Sequence, residues 1–294
     1  MSHQTLIAAA DLKSLLTRHQ RLVLLDCGFD LADTQAGQRA YDAGHLPRAC
    51  YAHLERDLSG AKTGHNGRHP LPARADLAST LGRWGIAPGV QVVTYDDQSM
   101  PYAARAWWLL RWMGHTAVAV LDGGRAAWAR VGGLLENDPP RPSHAAPYPA
   151  AATPGMPIID AQGLLALLGQ LPLRLLDARA AERFRGEVET LDPVAGHIPG
   201  ATQRFFRDNL GSDGCFKPAE QLRAEFATLL PPPVTAPGQD SGVIHQCGSG
   251  VTACHNLLAM SHAGWDPTLL YPGSWSEWCS DAGRPMVKGS ATAR

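Results

Sequence analysis

The chain of 294 residues has no cysteine pair at CxxC spacing, no apolar run of membrane-spanning length and almost no net charge. Each absence closes off a class of function. Six cysteines, Cys27, Cys50, Cys215, Cys247, Cys254 and Cys279, lie scattered along the chain, so their spacing offers neither a zinc cage nor a disulfide framework. They suit a reducing compartment. No stretch approaches the ~20 apolar residues that a membrane helix needs. The opening Met1-Ser2-His3-Gln4-Thr5-Leu6-Ile7 lacks the basic segment and apolar run of a secretory leader. A cytoplasmic protein is the expectation. With 26 Lys and Arg against 27 Asp and Glu, the formal charge is −1, which argues against nucleic acid or a membrane surface as partner. Small anions would have to be attracted locally.

What is present is a repeat. The length fits two domains of ordinary size, and a 45% hydrophobic content gives each a core. In the first half, Asp11 to about His19 reads as an amphipathic helix and Leu22-Val23-Leu24-Leu25-Asp26 as a buried strand. There follow a Gly44-His45-Leu46-Pro47 turn, a helix from Ala73 to about Trp84 and a strand from Val90 to Tyr95. A tryptophan-rich helix from Tyr102 to Trp112, a short strand from Ala117 to Leu121 and a Gly123-Gly124 turn complete the half. The second half replays this series with Leu173 to Asp177, Gly196-His197-Ile198-Pro199, Val243-Ile244 and Leu269 to Gly273. Asp26 to Asp177 and His45 to His197 give offsets of 151 and 152 residues, a period that means duplicated domains and not a solenoid. The Pro- and Ala-rich stretch between the halves reads as a linker. The expected plan is an N-terminal domain over 1–138, a linker over 139–157 and a C-terminal domain over 158–294. Alternating strands and helices make each domain α/β, a parallel sheet with helices on both faces.

The chemistry points to His245-Gln246-Cys247-Gly248-Ser249-Gly250-Val251-Thr252. Cys247 falls where a buried strand ends and a helix from Val251 to Met260 begins, the place where open α/β sheets bind ligands. Two glycines and a serine let the backbone curl into a nest of N–H groups, and the helix start adds partial positive charge. Both favour thiolate over thiol. A lone cysteine is otherwise a small buried hydrophobe, but this setting points to a nucleophile. Cys254, two helical turns on, reads as part of a packed face, with a resolving thiol as the alternative. In the first half Asp96 stands at the position of Cys247, followed by Asp97-Gln98-Ser99-Met100-Pro101, which lacks the glycines for a curl. That half is expected to have the frame without the nucleophile and to support the other's site.

Four motifs in order carry a resemblance over nearly the whole chain: Asp177-Ala178-Arg179, Gly196-His197-Ile198-Pro199-Gly200-Ala201, the Cys247 loop, and Gly273-Ser274-Trp275-Ser276-Glu277-Trp278. They resemble the tandem-domain rhodanese-type sulfurtransferases, and the Cys-Gly-Ser-Gly-Val-Thr loop resembles the 3-mercaptopyruvate-using members. The resemblance implies two rhodanese-like domains with only the C-terminal one catalytic. Cys247 would take sulfane sulfur from a small anionic donor as a persulfide and pass it to a thiophilic acceptor such as cyanide or a thiol, a thioredoxin-like reductant among the candidates. It implies no metal and no organic cofactor. The persulfide charge would rest on the amides of Gly248, Ser249, Gly250, Val251 and Thr252.

Arg183 matches the arginine that clamps the donor's anionic group, a task suited to a planar, permanently charged guanidinium. Arg179 reads as structural, paired with Asp177 or a neighbouring acid. Mercaptopyruvate-using relatives carry a second arginine before Gly-His-Ile-Pro-Gly, where this chain reads Glu189-Thr190-Leu191-Asp192-Pro193, so the second clamp is expected to be missing. Ser249 and His69 match a proposed proton relay, with Glu55 or Asp57 as its acid. The alternatives are ordinary turn chemistry for the serine and an exposed position for a histidine beside Gly64-His65-Asn66-Gly67-Arg68. Mercaptopyruvate is the expected donor. The competing readings are a thiosulfate:cyanide sulfurtransferase and a non-catalytic persulfide carrier. A Cys-x5-Arg phosphatase loop fails, because Ala253 stands where its arginine must be.

Overall fold

Parallel strands need crossover connections, and alternating apolar runs and helices supply them. The computed structural model describes residues 2–18, 21–138, 140, 146–169, 174–230, 242–265 and 267–290. The chain forms two compact units that largely follow its halves, except that residues 61–70 belong to the second unit and 212–216 to the first. His19, at the expected end of the first helix, Leu173, expected to open a strand, and residues 139 and 141–145 of the expected linker lie outside the described residues.

In the first unit, β1 (Leu6–Ile7), β2 (Leu22–Asp26), β3 (Ala49–Tyr51), β4 (Gln91–Tyr95) and β5 (Val118–Leu121) form one sheet in the order β1-β5-β4-β2-β3. Every pair is parallel. Strands buried on both faces read as unbroken apolar runs, as Leu22 to Leu25 does. Helices α1 (Ala9–Thr17), α2 (Ala36–Ala43), α3 (Arg74–Arg83), α4 (Pro101–Trp112) and α5 (Gly124–Arg130) make the connections. Pro101 opens α4, where its missing N–H costs nothing. Trp107 and Trp108 on that helix are fully buried, and Ile7, Leu12, Leu24, Val93, Leu121 and Trp128 share a core. Each such aliphatic side chain contributes roughly 1.5–3 kcal/mol.

The second unit repeats the design. Strands β6 (Arg174–Asp177), β7 (Thr202–Gln203), β8 (Val243–Gln246) and β9 (Leu269–Leu270) lie in the order β7-β6-β8-β9, all parallel. Ile158 bridges Leu270 beside β9, as β1 lies beside β5. The helices are α6 (Ala161–Leu167), α7 (Ala181–Phe184), α8 (Ala219–Leu229), α9 (Thr252–His262) and α10 (Ser274–Trp278). Asp160 caps α6 by accepting from the Gly163 N–H at 2.7 Å. The register reproduces the repeat: Asp26 pairs with Tyr95 and Asp177 with Gln246. The next residues, Asp96 and Cys247, therefore leave equivalent central strands at equivalent points.

The paired Gly-His motifs are structural. His45 Nδ1 lies 2.9 Å from the Tyr41 carbonyl and its ring stacks on Tyr41 at 4.0 Å. His197 does the same with Phe184, at 2.7 Å and 3.8 Å. Each thus holds a helix end against a buried ring, and burial lowers the His197 pKa, favouring the neutral form.

Candidate active site

The Val243–Gln246 strand is wholly buried between β6 and β9 and carries the chain to Cys247, itself 1% exposed. Three hydrogen bonds fix the backbone there. The Cys247 N–H donates to Ser274 Oγ at 3.0 Å, and the carbonyls of Cys247 and Gly248 accept from the Trp275 and Ser276 N–H groups at 3.0 and 2.9 Å. The loop then turns back on its own sulfur. The N–H groups of Gly250 and Ser249 point at Cys247 Sγ from 3.1 and 3.5 Å. Gly250 makes this turn at φ +76°, and a Cβ there would sit 2.3 Å from the Pro272 carbonyl oxygen. Only glycine meets both demands. Val251 and Thr252 lead into α9, whose N-terminal end adds its partial positive charge beside the sulfur.

Four charged side chains and one histidine surround this loop. His69, in the 61–70 segment of this unit, is buried, with Nδ1 2.8 Å from Ser249 Oγ. Arg183 extends from the end of α7, and its Nη2 donates to Glu189 at 2.7 and 2.9 Å and to Asp192 at 3.2 Å. Burial pushes the Glu189 carboxyl up, but Arg183 and the Leu191 and Asp192 N–H groups outweigh it and hold the carboxyl below its ordinary range. Arg68 Nη1 pairs with the other Asp192 oxygen. A Cβ built on Gly248 would lie 2.8 Å from Arg68 Nη2 and 3.4 Å from Arg183 Nη1. Two guanidinium groups therefore converge on the loop that holds the cysteine.

Sequence reasoning missed Arg68, having grouped it with an exposed polar stretch. Its position next to His69 was the available signal. The 189–193 segment contributes carboxylates where an arginine was sought, and Leu191 is 42% exposed. Arg179 forms a buried frame: Nε and Nη2 grip the two oxygens of Asp177, Nη2 also donates to the Gly196 carbonyl, and its guanidinium lies 4.9 Å from the Trp275 ring. Burial works against its charge, but the ion pair with Asp177 prevails and raises its pKa. Of the two acids considered for the relay, Asp57 is engaged by the His53 N–H and by Arg56 and Arg83. Arg185 makes a surface pair with Glu187. Cys254 is buried and donates its thiol hydrogen to the Gly250 carbonyl at 3.3 Å. Ala253 is fully buried on α9.

One expectation about the first half needs correcting. Its loop curls without glycine: Ser99 and Met100 adopt φ of +71° and +68°. The nest so formed is filled by Asp96, whose Oδ1 accepts from the Gln98 and Met100 N–H groups at 2.9 and 2.8 Å. Its Oδ2 accepts from those of Tyr102 and Ala103 at 3.0 and 2.9 Å. These bonds offset the strain of two left-handed non-glycine residues.

A family model described as a rhodanese-like domain matches residues 8–131 and again 160–281. The chain belongs to the rhodanese family. It is 50% identical over 294 residues to the "Probable 3-mercaptopyruvate sulfurtransferase" of Pseudomonas aeruginosa, covering 98% of this chain and all of that protein. It is 32% identical over 271 residues to the thiosulfate sulfurtransferase of Mus musculus, covering 87% and 84% of the two chains. Among solved structures, the 3-mercaptopyruvate sulfurtransferase from Leishmania major superposes with a TM-score of 0.75 at 26% identity, covering 94% of this chain and 74% of that one. As a rhodanese with relatives of this degree, the protein is a sulfurtransferase enzyme built of two rhodanese domains. Among the described residues no helix is long and apolar enough to cross a membrane.

Proposed function

We propose that the enzyme moves sulfane sulfur from 3-mercaptopyruvate through a persulfide on Cys247 to a thiophilic acceptor. The observation that carries this reading is the pair of loop N–H groups aimed at Cys247 Sγ where the central strand ends. In the first half-reaction the Cys247 thiolate attacks the donor's sulfur. The S–S bond forms as the carbon–sulfur bond breaks, and its electron pair leaves on the enolate of pyruvate. The proton that the donor thiol carried returns to that enolate carbon, so the products are the persulfide anion and pyruvate with no external oxidant. Ser249 and His69, in hydrogen-bond contact at 2.8 Å, offer this proton a path. The preorganised amides of Gly248 to Thr252 stabilise the terminal sulfur's charge, and Arg183 holds the donor's carboxylate.

In the second half-reaction the terminal sulfur passes to cyanide, a small thiol or a thioredoxin-like dithiol, and the Cys247 thiolate returns. The catalytic domain in this reading is 158–294 with residues 61–70 added to it, the non-catalytic one is the remainder of 1–138, and 139–157 links them. Six free thiols fit a cytoplasmic setting. Incubation with mercaptopyruvate and no acceptor should add the mass of one sulfur atom, mapped to Cys247, and Cys247→Ser should abolish it. Loading that survives that substitution overturns the reading. Steady-state kcat/KM with mercaptopyruvate and with thiosulfate, against one acceptor, tests the donor. A large excess for thiosulfate favours the second reading, that of a thiosulfate:cyanide sulfurtransferase.

A further inference from the structure

The segment expected to carry a second donor clamp carries acids instead, yet the loop is flanked by two guanidinium groups. Arg68 and Arg183 lie far apart in sequence, and Asp192 joins them: its Oδ1 accepts from Arg68 Nη1 and its Oδ2 from Arg183 Nη2. The Asp192 side chain is 2% exposed, whereas those of Arg68 and Arg183 are 25% and 20% exposed. A buried carboxylate thus orients two half-open cations. The bonds described leave Arg68 Nη2 and Arg183 Nη1 over, and these are the two atoms that stand against the Cβ position of Gly248, at 2.8 and 3.4 Å. Arg68 is also fixed from behind, because its backbone N–H donates to Ser276 Oγ at 3.0 Å, and the Ser276 N–H holds the Gly248 carbonyl. The cysteine loop and Arg68 are therefore fastened to the same residue.

We propose that Arg68 is the second arm of the donor clamp. It and Arg183 each present one amino group to the two oxygens of the donor's carboxylate, with Asp192 as the positioning residue that sets their spacing. The proposal rests on the mercaptopyruvate reading above and adds a specificity-determining residue to it. Two cations already balanced by Asp192 and Glu189 suit a planar monoanion, which can take one charge-assisted hydrogen bond from each guanidinium.

The test compares mercaptopyruvate with mercaptoacetone, which has the same thiol and ketone but a methyl group in place of the carboxylate. Losing one charge-assisted bond predicts a fall of about 10- to 100-fold in kcat/KM for mercaptopyruvate in Arg68→Ala. The fall should lie mainly in KM, with Arg68→Lys recovering part of it. Mercaptoacetone should be a poor donor whose kcat/KM barely differs between the parent and Arg68→Ala. A merely structural Arg68 would damage both donors alike, so equal losses, or an unchanged KM for mercaptopyruvate, would overturn the proposal. Failure of the underlying reading looks different: the parent enzyme itself would then load no sulfur on Cys247 from mercaptopyruvate.

Discussion

Replacing Gly250 with alanine adds one methyl group at a point where the backbone has φ +76° and the Pro272 carbonyl oxygen would stand 2.3 Å away. The left-handed conformation costs an L-residue roughly 1–2 kcal/mol. The obstacle is backbone and cannot rotate aside, so the loop must retreat by about 1 Å to restore an ordinary C···O separation of about 3.3 Å. That retreat takes the Gly250 N–H, now 3.1 Å from Cys247 Sγ, out of bonding range. The expected stability loss is about 2–3 kcal/mol, or about 4–12 °C in the midpoint of a domain this size. Removing one preorganised donor to a developing anion typically costs about 10²–10³ in rate. Calorimetry reads the first quantity and single-turnover loading, followed by intact mass, reads the second. Gly248→Ala is the contrast, because its Cβ would meet the side-chain ends of Arg68 and Arg183 and no backbone. It should lower the midpoint less than Gly250→Ala does while raising the KM for the donor. A Gly250→Ala enzyme with parental midpoint and loading rate would refute the argument from the nest.

Cys254→Ser should load and discharge sulfur, since that thiol is buried and bonded to the Gly250 carbonyl; loss of discharge alone would mark it as a resolving thiol. Burial holds His245 at about 3, against an ordinary 6.5, so its imidazole is neutral in the fold and is protonated more readily when the chain unfolds. The stability it leaves intact above pH 6.5 is lost as pH falls towards 3, by about 1.4 kcal/mol per unit. Denaturant titrations of His245→Gln and the parent should therefore diverge by about 2 kcal/mol at pH 5. Asp96, lifted by burial to about 6, acts in the opposite sense as pH falls from there to its unfolded value, so the comparison must be made variant against parent at each pH. Equal pH slopes would contradict the burial argument. A fragment beginning at Pro157 lacks the 61–70 segment that belongs to the second unit, including Arg68 and His69. It should load poorly or fold poorly, and full activity would show that segment to be dispensable.

Several features were legible because they are local. The apolar runs of β2 and β4, the placement of Cys247 between strand and helix, and the duplicated Asp and His positions all follow from patterns a few residues long. Three things were not legible, for different reasons. Strands of two or three residues, such as Leu6–Ile7, Ala49–Tyr51 and Thr202–Gln203, are too short to show a period. The curl at Ser99 and Met100 uses residues whose intrinsic preference runs against it. The meeting of Arg68 with Asp192 and Arg183 joins positions more than a hundred residues apart, which neither composition nor spacing reports.

The Asp96 loop bears on the chemistry of Cys247. The two residues leave equivalent strands at the same register, and the backbone beyond each turns N–H groups towards its side chain. In the first unit four such groups close on a carboxylate. Burial still lifts Asp96 to about 6, so these four donors, with no cationic side chain among them, offset part of the cost of burying that charge and not all of it. The two N–H groups of the second unit face Cys247 Sγ itself, where they favour negative charge on that sulfur. Cations are then needed chiefly for the donor's own charge, which is the task assigned to the arginines beside Gly248. In the reaction proposed above, the loop brings no charged side chain at Gly248 or Ser249 to the sulfur, and what faces Cys247 Sγ is the pair of N–H groups of Ser249 and Gly250.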